Sequence, residues 1–196
     1  LNLLGRFSII NPDDWYEPFL VEEGIPLDVA SFTGEYFDIV QAIKTAEQLG
    51  LPTADLQAQR AELRPTMSKN AKLFNLARRK AKEKATSLST EGKDFIIDGT
   101  GGNLKEIMKY QTLYKSMGYD TAMVYISVPL ETSLRRNFER GEKGGRRLLD
   151  YSVEKSHSAV SKNKEAYMDL FGRNFFFVDN SGSFEQYKNN IELIRD

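Results

Sequence analysis

The chain has 196 residues, of which 40% are hydrophobic, with 27 basic and 28 acidic side chains. This length supports one ordinary domain with a sizeable core. The near-neutral charge argues against strong non-specific nucleic-acid binding, although it leaves room for a local basic patch. The absence of cysteine and the single histidine exclude thiolate and histidine-based metal sites. No apolar run reaches the roughly 18–20 residues of a membrane span and no signal peptide is visible, so we expect a cytoplasmic protein without a membrane partner.

The hydrophobic pattern predicts strands alternating with helices along the chain. Predicted strands cover residues 7–11, 94–97, 122–128 and 174–178, and predicted helices cover residues 28–49, 66–86, 104–117, 130–140, 152–170 and 184–194. Such alternation is typical of a doubly wound α/β fold, in which helices cover both faces of a mainly parallel sheet. We expect a single domain over residues 1–196, with a helical substrate-side lobe at residues 18–90 and an arginine lid at residues 135–150.

Two adjacent acids follow the first predicted strand, in the segment SIINPDDWYEP at residues 8–18. A turn after Ile10 requires no more than the Asn-Pro pair. Asp13 and Asp14 nevertheless follow at once, and Trp15 and Tyr16 come directly after them. The carboxyl ends of strands are where α/β folds place their ligands. The segment therefore predicts a functional site.

A third acid, Asp98, ends the second predicted strand, in the segment IIDGTGGN at residues 96–103. An acid at this place can hold Mg²⁺ beside the phosphates of a nucleotide. The glycines that follow leave backbone N–H groups available as an anion nest. A plain glycine turn capped by Asn103 explains the segment about equally well. No Walker A pattern occurs in the chain, so the lysine of that motif is also missing.

Arginines dominate the segment SLRRNFERGEKGGRRLL at residues 133–149. Arg136 and Arg140 are four residues apart and share one helix face. Arg146 and Arg147 follow two glycines, on a segment able to swing. Guanidinium groups on such a segment suit closure over a phosphoryl group in transfer. A solvated charged face, with nearby glutamates as ion-pair partners, is the alternative.

Four segments in succession, INPDDWY, IIDGTGGN, VPLETSLRRNFERG and FVDNS, resemble motifs of P-loop kinases. Within these kinases, the segments resemble the polynucleotide kinase and zeta-toxin types. The resemblance implies a P-loop-kinase-like α/β/α fold, ATP or GTP as phosphoryl donor, and Mg²⁺. It also implies a hydroxyl-bearing acceptor, which is a nucleic-acid end, a nucleotide or a sugar nucleotide.

The resemblance also assigns roles to single residues. It implies that Asp13 is the base that accepts the acceptor's proton, with Asp14 capping or orienting it. It implies that Asp98 is the metal-binding acid. The lid motif R-N-x-x-R-G corresponds to Arg136, Asn137, Arg140 and Gly141. The remaining predicted contacts are Arg146 and Arg147 with the phosphates, with Arg147 slightly favoured, Asn180 with the nucleotide base, and Asp14, Tyr16, Thr100 and Asn103 with the substrate.

The chain departs from the family pattern in two respects. Polynucleotide kinases carry an arginine three residues after the catalytic acid, and Tyr16 stands at that position. The acceptor then need not be a polynucleotide end, although an aromatic ring could stack on a base or sugar. The first strand and phosphate loop also have no counterpart. Either the protein extends upstream of Leu1, which we favour because LNLLGRF reads as the end of a helix, or the domain is degenerate.

Three hypotheses follow for the function. The first is a kinase of a hydroxyl group, with the chain as given binding ATP poorly and transferring no phosphate. The second is a catalytically inactive kinase-like domain kept for binding or assembly. The third is a nucleotide hydrolase of the same fold. Asp13, Asp98, Arg136 and Arg140 together favour the first over the second, and a dedicated base favours an alcohol acceptor over water.

Overall fold

A computed structural model describes residues 7–182 and shows an α/β fold. Its elements in chain order are β1 (Ser8–Ile10), α1 (Asp13–Glu22), α2 (Val29–Gln48), α3 (Ala54–Thr90), β2 (Phe95–Ile97), α4 (Leu104–Ser116), β3 (Met123–Ser127), α5 (Leu130–Glu142), α6 (Asp150–Phe171), a short 3₁₀ helix (Gly172–Asn174) and β4 (Phe175–Asp179). The predicted alternation of strands and helices is confirmed over these residues. The predicted closing helix at residues 184–194 lies outside them.

The described strands form two parallel pairs. β1 pairs with β2, with Ser8 opposite Phe95 and Ile10 opposite Ile97. β3 pairs with β4, with Met123 opposite Phe175 at the start of the ladder. Each pair forms a sheet of two strands within residues 7–182. The strands therefore pair in parallel, as predicted, and they do so in two short sheets of two strands each.

The chain divides into two compact units. Within residues 7–182, the first comprises residues 7–99 and 137–150, and the second comprises residues 100–136 and 151–182. The first unit thus holds β1, β2 and the three helices between them. The second holds the β3–β4 pair and α4. The arginine segment (residues 133–149) is therefore divided: its residues up to Arg136 belong to the second unit, and those from Asn137 onward belong to the first.

Aromatic, branched and small side chains form the core of the first unit. Tyr16 and Leu20 of α1 pack with Val29 and Phe32 of α2 and with Ala77 of α3. A second cluster joins α3 to the sheet and consists of Ile10, Ala81, Ala85 and Leu88. Alanines recur every fourth residue on α3, so this helix approaches its neighbours closely. The core fixes α1 and α3 against β1, from which the two adjacent acids emerge.

Two helices extend beyond the prediction. α3 begins at Ala54 rather than at residue 66 and contains Pro65. α1 was not predicted, and it contains Pro18. An internal proline removes one helical hydrogen bond and normally argues against a helix. Here the buried faces of α1 and α3 outweigh that cost. Residues 18–90 are mostly helical, as predicted, whereas their role as a substrate-side lobe stays a prediction.

Within residues 7–182 no helix is both long enough and apolar enough to cross a bilayer.

Candidate active site

The end of β1 and the start of α1 deliver the two adjacent acids. Only Asn11 and Pro12 separate the strand from the helix, so Asp13 and Asp14 lie in the first turn of α1. Carboxylates are favoured there because the unpaired N–H groups of the helix carry partial positive charge. Pro12 is the N-cap and its side chain forms no capping hydrogen bond. Asp14 is exposed, and its role in capping or orienting stays a prediction.

Asn11 connects the acids of the two strands. Its Oδ1 accepts a hydrogen bond of 2.9 Å from the backbone N–H of Asp13. Its Nδ2 donates a hydrogen bond of 2.9 Å to Oδ2 of Asp98. The backbone N–H of Asp98 also donates to the carbonyl of Ile10 at 2.9 Å, which extends the β1–β2 ladder by one bond. The sequence predicted Asn11 only as a turn residue. No local pattern predicts its hydrogen bond to Asp98, which is 87 residues away.

Arg146 lies between two carboxylates of α1. Its Nη2 donates to Oδ2 of Asp13, and its Nε donates to Oε1 of Glu17 at 3.1 Å. Asp13 and Glu17 are four residues apart, so they share one face of the helix. The guanidinium also packs over the ring of Tyr16, 5.4 Å from its centroid. Arg146 is 8% exposed, so this predicted phosphate ligand is a buried ion-pair partner of the predicted base.

The pKa of Asp13 is raised above its ordinary value. Burial is the largest cause, since it disfavours the charged carboxylate, and the charges of Glu17 and Asp98 act in the same direction. The positive charges of Arg146 and Arg140 oppose the shift without cancelling it. These interactions place Asp13, Asp98, Arg140 and Arg146 in one electrostatic neighbourhood. A carboxyl with a raised pKa holds a proton more tightly than an exposed aspartate does.

Tyr16 is a core residue. Only 3% of it is exposed, and its hydroxyl donates to Oδ1 of Asn70. Phe74 contacts its ring edge-on at 5.3 Å between centroids, and Arg146 covers one ring face. Burial raises the pKa of this tyrosine. A substrate contact by Tyr16 therefore requires Arg146 to leave the ring.

The arginine segment is held by its own backbone and by Asn137. Asn137 is buried, donates to the carbonyl of Leu148 at 2.7 Å, and accepts from the N–H of Leu148 at 3.0 Å. The N–H of Arg147 donates to the carbonyl of Leu27, and the carbonyl of Arg147 accepts from Ala30, both at 3.1 Å. The segment is thus tied to the start of α2.

Two glycines let this segment fold tightly. A Cβ at Gly145 would lie 2.8 Å from Cγ of Arg140, and a Cβ at Gly141 would lie 2.9 Å from Cδ of Arg147. Arg147 places its guanidinium over the ring of Phe138 at 5.0 Å. Its Nε is buried and has no hydrogen-bond partner in the part of the chain that the structure describes. The sequence did not decide which of Arg146 and Arg147 contacts the phosphates, and both are packed on aromatic rings.

The other predicted site residues belong to the second unit. Arg136 donates from Nη2 to the carbonyl of Asn180 at 3.2 Å, which joins two residues predicted to bind the nucleotide. Asn103 is the N-cap of α4 and accepts from the N–H of Glu106 at 3.3 Å. Thr100 begins this unit and is exposed. Asn103 therefore caps α4, as the alternative interpretation of the glycine turn predicts.

Metal binding at Asp98 would rest on a single carboxylate. Among residues 7–182 no three His, Cys, Asp or Glu side chains are grouped closely enough to hold an ion. Asp98 is exposed and directs one carboxylate oxygen to Asn11. One carboxylate with substrate phosphates and water is a coordination that suits Mg²⁺. The residues present therefore fit a cation that is bound together with a phosphorylated ligand.

Comparison with protein families matches residues 42–161, more than half of the chain, to the AAA domain family. The chain belongs to the AAA domain family. This family is P-loop NTPase-like and includes kinases, so the match supports a nucleotide-binding, kinase-like domain. The AAA domain match includes Asp98 and the arginine segment, and Asp13 lies before it. Comparisons with curated proteins and with solved structures return no significant match.

Proposed function

We propose that this AAA domain protein transfers a phosphoryl group from ATP or GTP to a hydroxyl group of an acceptor. The observation that carries the proposal is the setting of Asp13, a partly buried carboxyl with a raised pKa beside Asp98 and Arg140. A base, a candidate metal-binding acid and a cation are the groups that phosphoryl transfer to an alcohol requires. The family match supports the nucleotide-dependent part of this function.

Asp13 is the proposed base. Its Oδ2 is engaged by Arg146, and within the described residues no hydrogen bond occupies its Oδ1. The acceptor hydroxyl would donate to this second oxygen. As the acceptor oxygen bonds to the γ-phosphorus, its O–H bond breaks and the proton passes to Oδ1, while the bond from phosphorus to the leaving oxygen breaks. A raised pKa improves a carboxylate as a base near neutral pH.

Asp98 is the proposed magnesium residue, and Mg²⁺ would supply charge stabilisation to the phosphates when bound. Asn11 orients the carboxylate of Asp98 through one oxygen, which leaves the other oxygen directed elsewhere. Because Asn11 also bonds to the backbone of Asp13, the metal residue and the base keep a fixed relation. A fixed distance between Asp98 and Asp13 would help phosphoryl transfer, because the nucleotide and the acceptor must be held close together in the reactive orientation.

Arg140 is the proposed arginine at the transferring phosphoryl group. It is exposed, and its positive charge acts to lower the pKa of Asp13, against the larger effect of burial. Its Nη2 donates to Oδ1 of Asn137 at 3.3 Å, which orients the side chain without burying it. Arg136 and Asn180 are proposed nucleotide contacts, and Arg147 is a further phosphate ligand in the proposal. Asp14, Thr100 and Asn103 remain proposed acceptor contacts.

We further infer a polynucleotide kinase or zeta-toxin type of kinase with a three-layer α/β/α arrangement. The order of motifs around Asp13, Asp98, Arg140 and Asn180 supports this type. The parallel pairing of β1 with β2, and of β3 with β4, is compatible with it. The acceptor class stays open between a nucleic-acid end, a nucleotide and a sugar nucleotide.

The test uses the protein expressed from its full reading frame. Radiolabelled γ-phosphate of ATP or GTP is followed with Mg²⁺ and a panel of acceptors that represents the three classes. Label on an acceptor, lost in Asp13→Asn and kept in Asp55→Asn, which changes an exposed acid in the first turn of α3, supports the proposal. Release of inorganic phosphate without any labelled acceptor would instead indicate a hydrolase. Nucleotide binding with neither product would indicate an inactive binding domain.

A further inference from the structure

The Gly101–Gly102 turn of the second unit is held by α6 through its carbonyl groups. Tyr167, which is 1% exposed, donates from its hydroxyl to the carbonyl of Gly101. Asn163 donates from Nδ2 to the carbonyl of Gly102 at 3.0 Å and lies 3.5 Å from that of Gly101. Both carbonyl oxygens, which would repel an anion, are therefore occupied by α6.

The N–H groups of the same turn are available. Within the described part of the chain, the backbone N–H groups of Gly101 and Gly102 donate to no acceptor. Gly101 has a φ of 67°, a conformation that a side chain rarely adopts. At Gly102 a Cβ would meet Ala159 at 3.6 Å. The turn thus presents bare backbone toward α6.

A cavity of about 350 Å³ lies between this turn and α6. It is lined by Gly102, Lys155, Ser158, Ala159, Lys162 and Asn163. Its volume is at the small end of the range for ligand pockets, which begins at roughly 300 Å³. A small molecule or one group of a larger molecule would fill it. We call it the α6 groove.

Two lysines give the α6 groove its charge. Lys155 and Lys162 are seven residues apart, which is two turns and about 10 Å along the helix. Ser158 lies between them on the same face, and its hydroxyl is exposed. Within residues 7–182 neither ammonium has a carboxylate at ion-pair distance. The groove therefore offers two ammonium groups that have no carboxylate partner among the described residues, a hydroxyl and the backbone of Gly102.

We propose that the α6 groove binds a phosphate group of a small-molecule ligand, as a phosphate ester or a diphosphate. A phosphate presents several acceptor oxygens and negative charge, which match donors and ammonium groups. An apolar ligand would leave both ammonium groups unused. The α6 groove belongs to the second unit, whereas Asp13, Asp98 and Arg140 belong to the first, and binding of a phosphate there requires no phosphoryl transfer. It therefore stands independently of the proposed function.

Inorganic pyrophosphate is the first probe, titrated into the full chain by calorimetry and followed at the Gly101 and Gly102 amides by NMR. Lys155→Gln and Lys162→Gln should each weaken binding by about tenfold or more, because each removes a charged donor. Lys164→Gln is the control of equal charge. Lys164 is on the opposite face of α6, over the ring of Phe177 at 4.2 Å. Its replacement should change affinity by less than about twofold.

The outcomes separate the groove from general charge effects. Equal weakening by all three variants, or unshifted glycine amides, would overturn the proposal. ADP and glucose 1-phosphate then identify the source of the phosphate. Displacement of pyrophosphate by ADP alone assigns the groove to a nucleotide, and displacement by glucose 1-phosphate assigns it to a phosphorylated sugar. Lysine-dependent binding in a protein that labels no acceptor would support the groove and contradict the kinase proposal.

Discussion

Nη2 of Arg146 donates to Oδ2 of Asp13, a residue 133 positions earlier in the chain. The same guanidinium donates to Glu17 at 3.1 Å, so one buried cation serves two acids on one helix face. The base that we propose is therefore paired with a cation through Oδ2, while its Oδ1 accepts no hydrogen bond from the described residues. The predictions below begin with this pair.

Arg146→Met should destabilise the fold at neutral pH. It leaves the carboxylates of Asp13 and Glu17 side by side without a counterion. Loss of a fully buried pair costs about 3–5 kcal/mol, but these carboxylates are about a third exposed, so we expect about 1–3 kcal/mol. Urea unfolding at neutral pH measures the loss. It should shrink in acid, where the carboxyls are protonated.

The control for Arg146→Met is Arg79→Met. Arg79 forms an exposed pair with Glu83 at 3.8 Å, and such pairs contribute about 0.5 kcal/mol or less. An equal loss in both variants, or a loss that does not depend on pH, would contradict the role assigned to Arg146.

Asp13→Asn should reduce the pH dependence of stability. The pKa of Asp13 is higher in the folded state than the unfolded value of about 3.9. The folded state thus binds this proton more tightly, and the free energy of unfolding falls as pH rises from the unfolded value through the folded one. The variant has no such proton to lose. Denaturant titrations from about pH 3 to about pH 7 should show a smaller fall in the variant.

Asp14→Asn controls for the change of net charge in that experiment, since Asp14 is exposed and adjacent. The free energy of unfolding could instead fall with rising pH as steeply in Asp13→Asn as in the unmodified protein. That result would contradict a raised pKa of Asp13 in the folded state.

Asp13→Asn should also lower turnover in the protein expressed from its full reading frame. A positioned proton acceptor contributes about 10²–10⁴ to the rate. Nucleotide affinity should stay nearly unchanged, because the base faces the acceptor. Single-turnover kinetics beside a nucleotide-binding measurement tests both statements. Lost nucleotide binding with an unchanged chemical rate would make Asp13 a metal or structural residue.

Arg140→Ala should lower turnover by about 10³ or more, the contribution of an arginine that meets the charge of the transition state. Arg140 is exposed, so the fold should tolerate the change. Arg79→Ala removes another exposed arginine and should have no effect on turnover. Single-turnover rates at saturating nucleotide provide the measurement. A change in nucleotide affinity alone would assign Arg140 to binding rather than to transfer.

Asn137→Ala should loosen the arginine segment. The variant leaves both the N–H and the carbonyl of Leu148 without the Asn137 amide, at a cost of about 2–3 kcal/mol. Hydrogen exchange at the Leu148 amide should become faster. Asn174→Ala, which removes a bond to the Thr121 carbonyl in the second unit, should leave that amide protected. Unchanged protection of Leu148 in Asn137→Ala would show that other contacts hold the segment.

Local pattern was sufficient to predict most elements of the described fold. Strands such as β1 are short runs of branched apolar residues, and α6 shows helical spacing. The proximity of Asp13 and Asp98 was also foreseeable, because the carboxyl ends of paired parallel strands meet at one edge. α1 was missed because Pro18 argues against a helix, and its packing through Leu20 cannot be read from local sequence.

The contacts within the site were harder to predict. Arg146 follows two glycines and was expected on a swinging loop, yet it is buried against α1. Its second partner, Glu17, stands one helical turn after Asp13, but this spacing has meaning only once α1 is known. Asn137 was named as part of a motif, and its two bonds to Leu148 depend on how the chain returns eleven residues later.

The backbone of Arg147, through its bonds to Leu27 and Ala30, attaches the arginine segment to the start of α2. The charge of the Arg147 side chain is not needed for this attachment. Main-chain bonds hold the segment at this point whatever side chain residue 147 carries. The guanidinium group of Arg147 can therefore be exchanged without removing the main-chain bonds that hold the segment to α2. Selection could change this cation in this way, and a mutant series at residue 147 would report on charge while the main-chain attachment is kept.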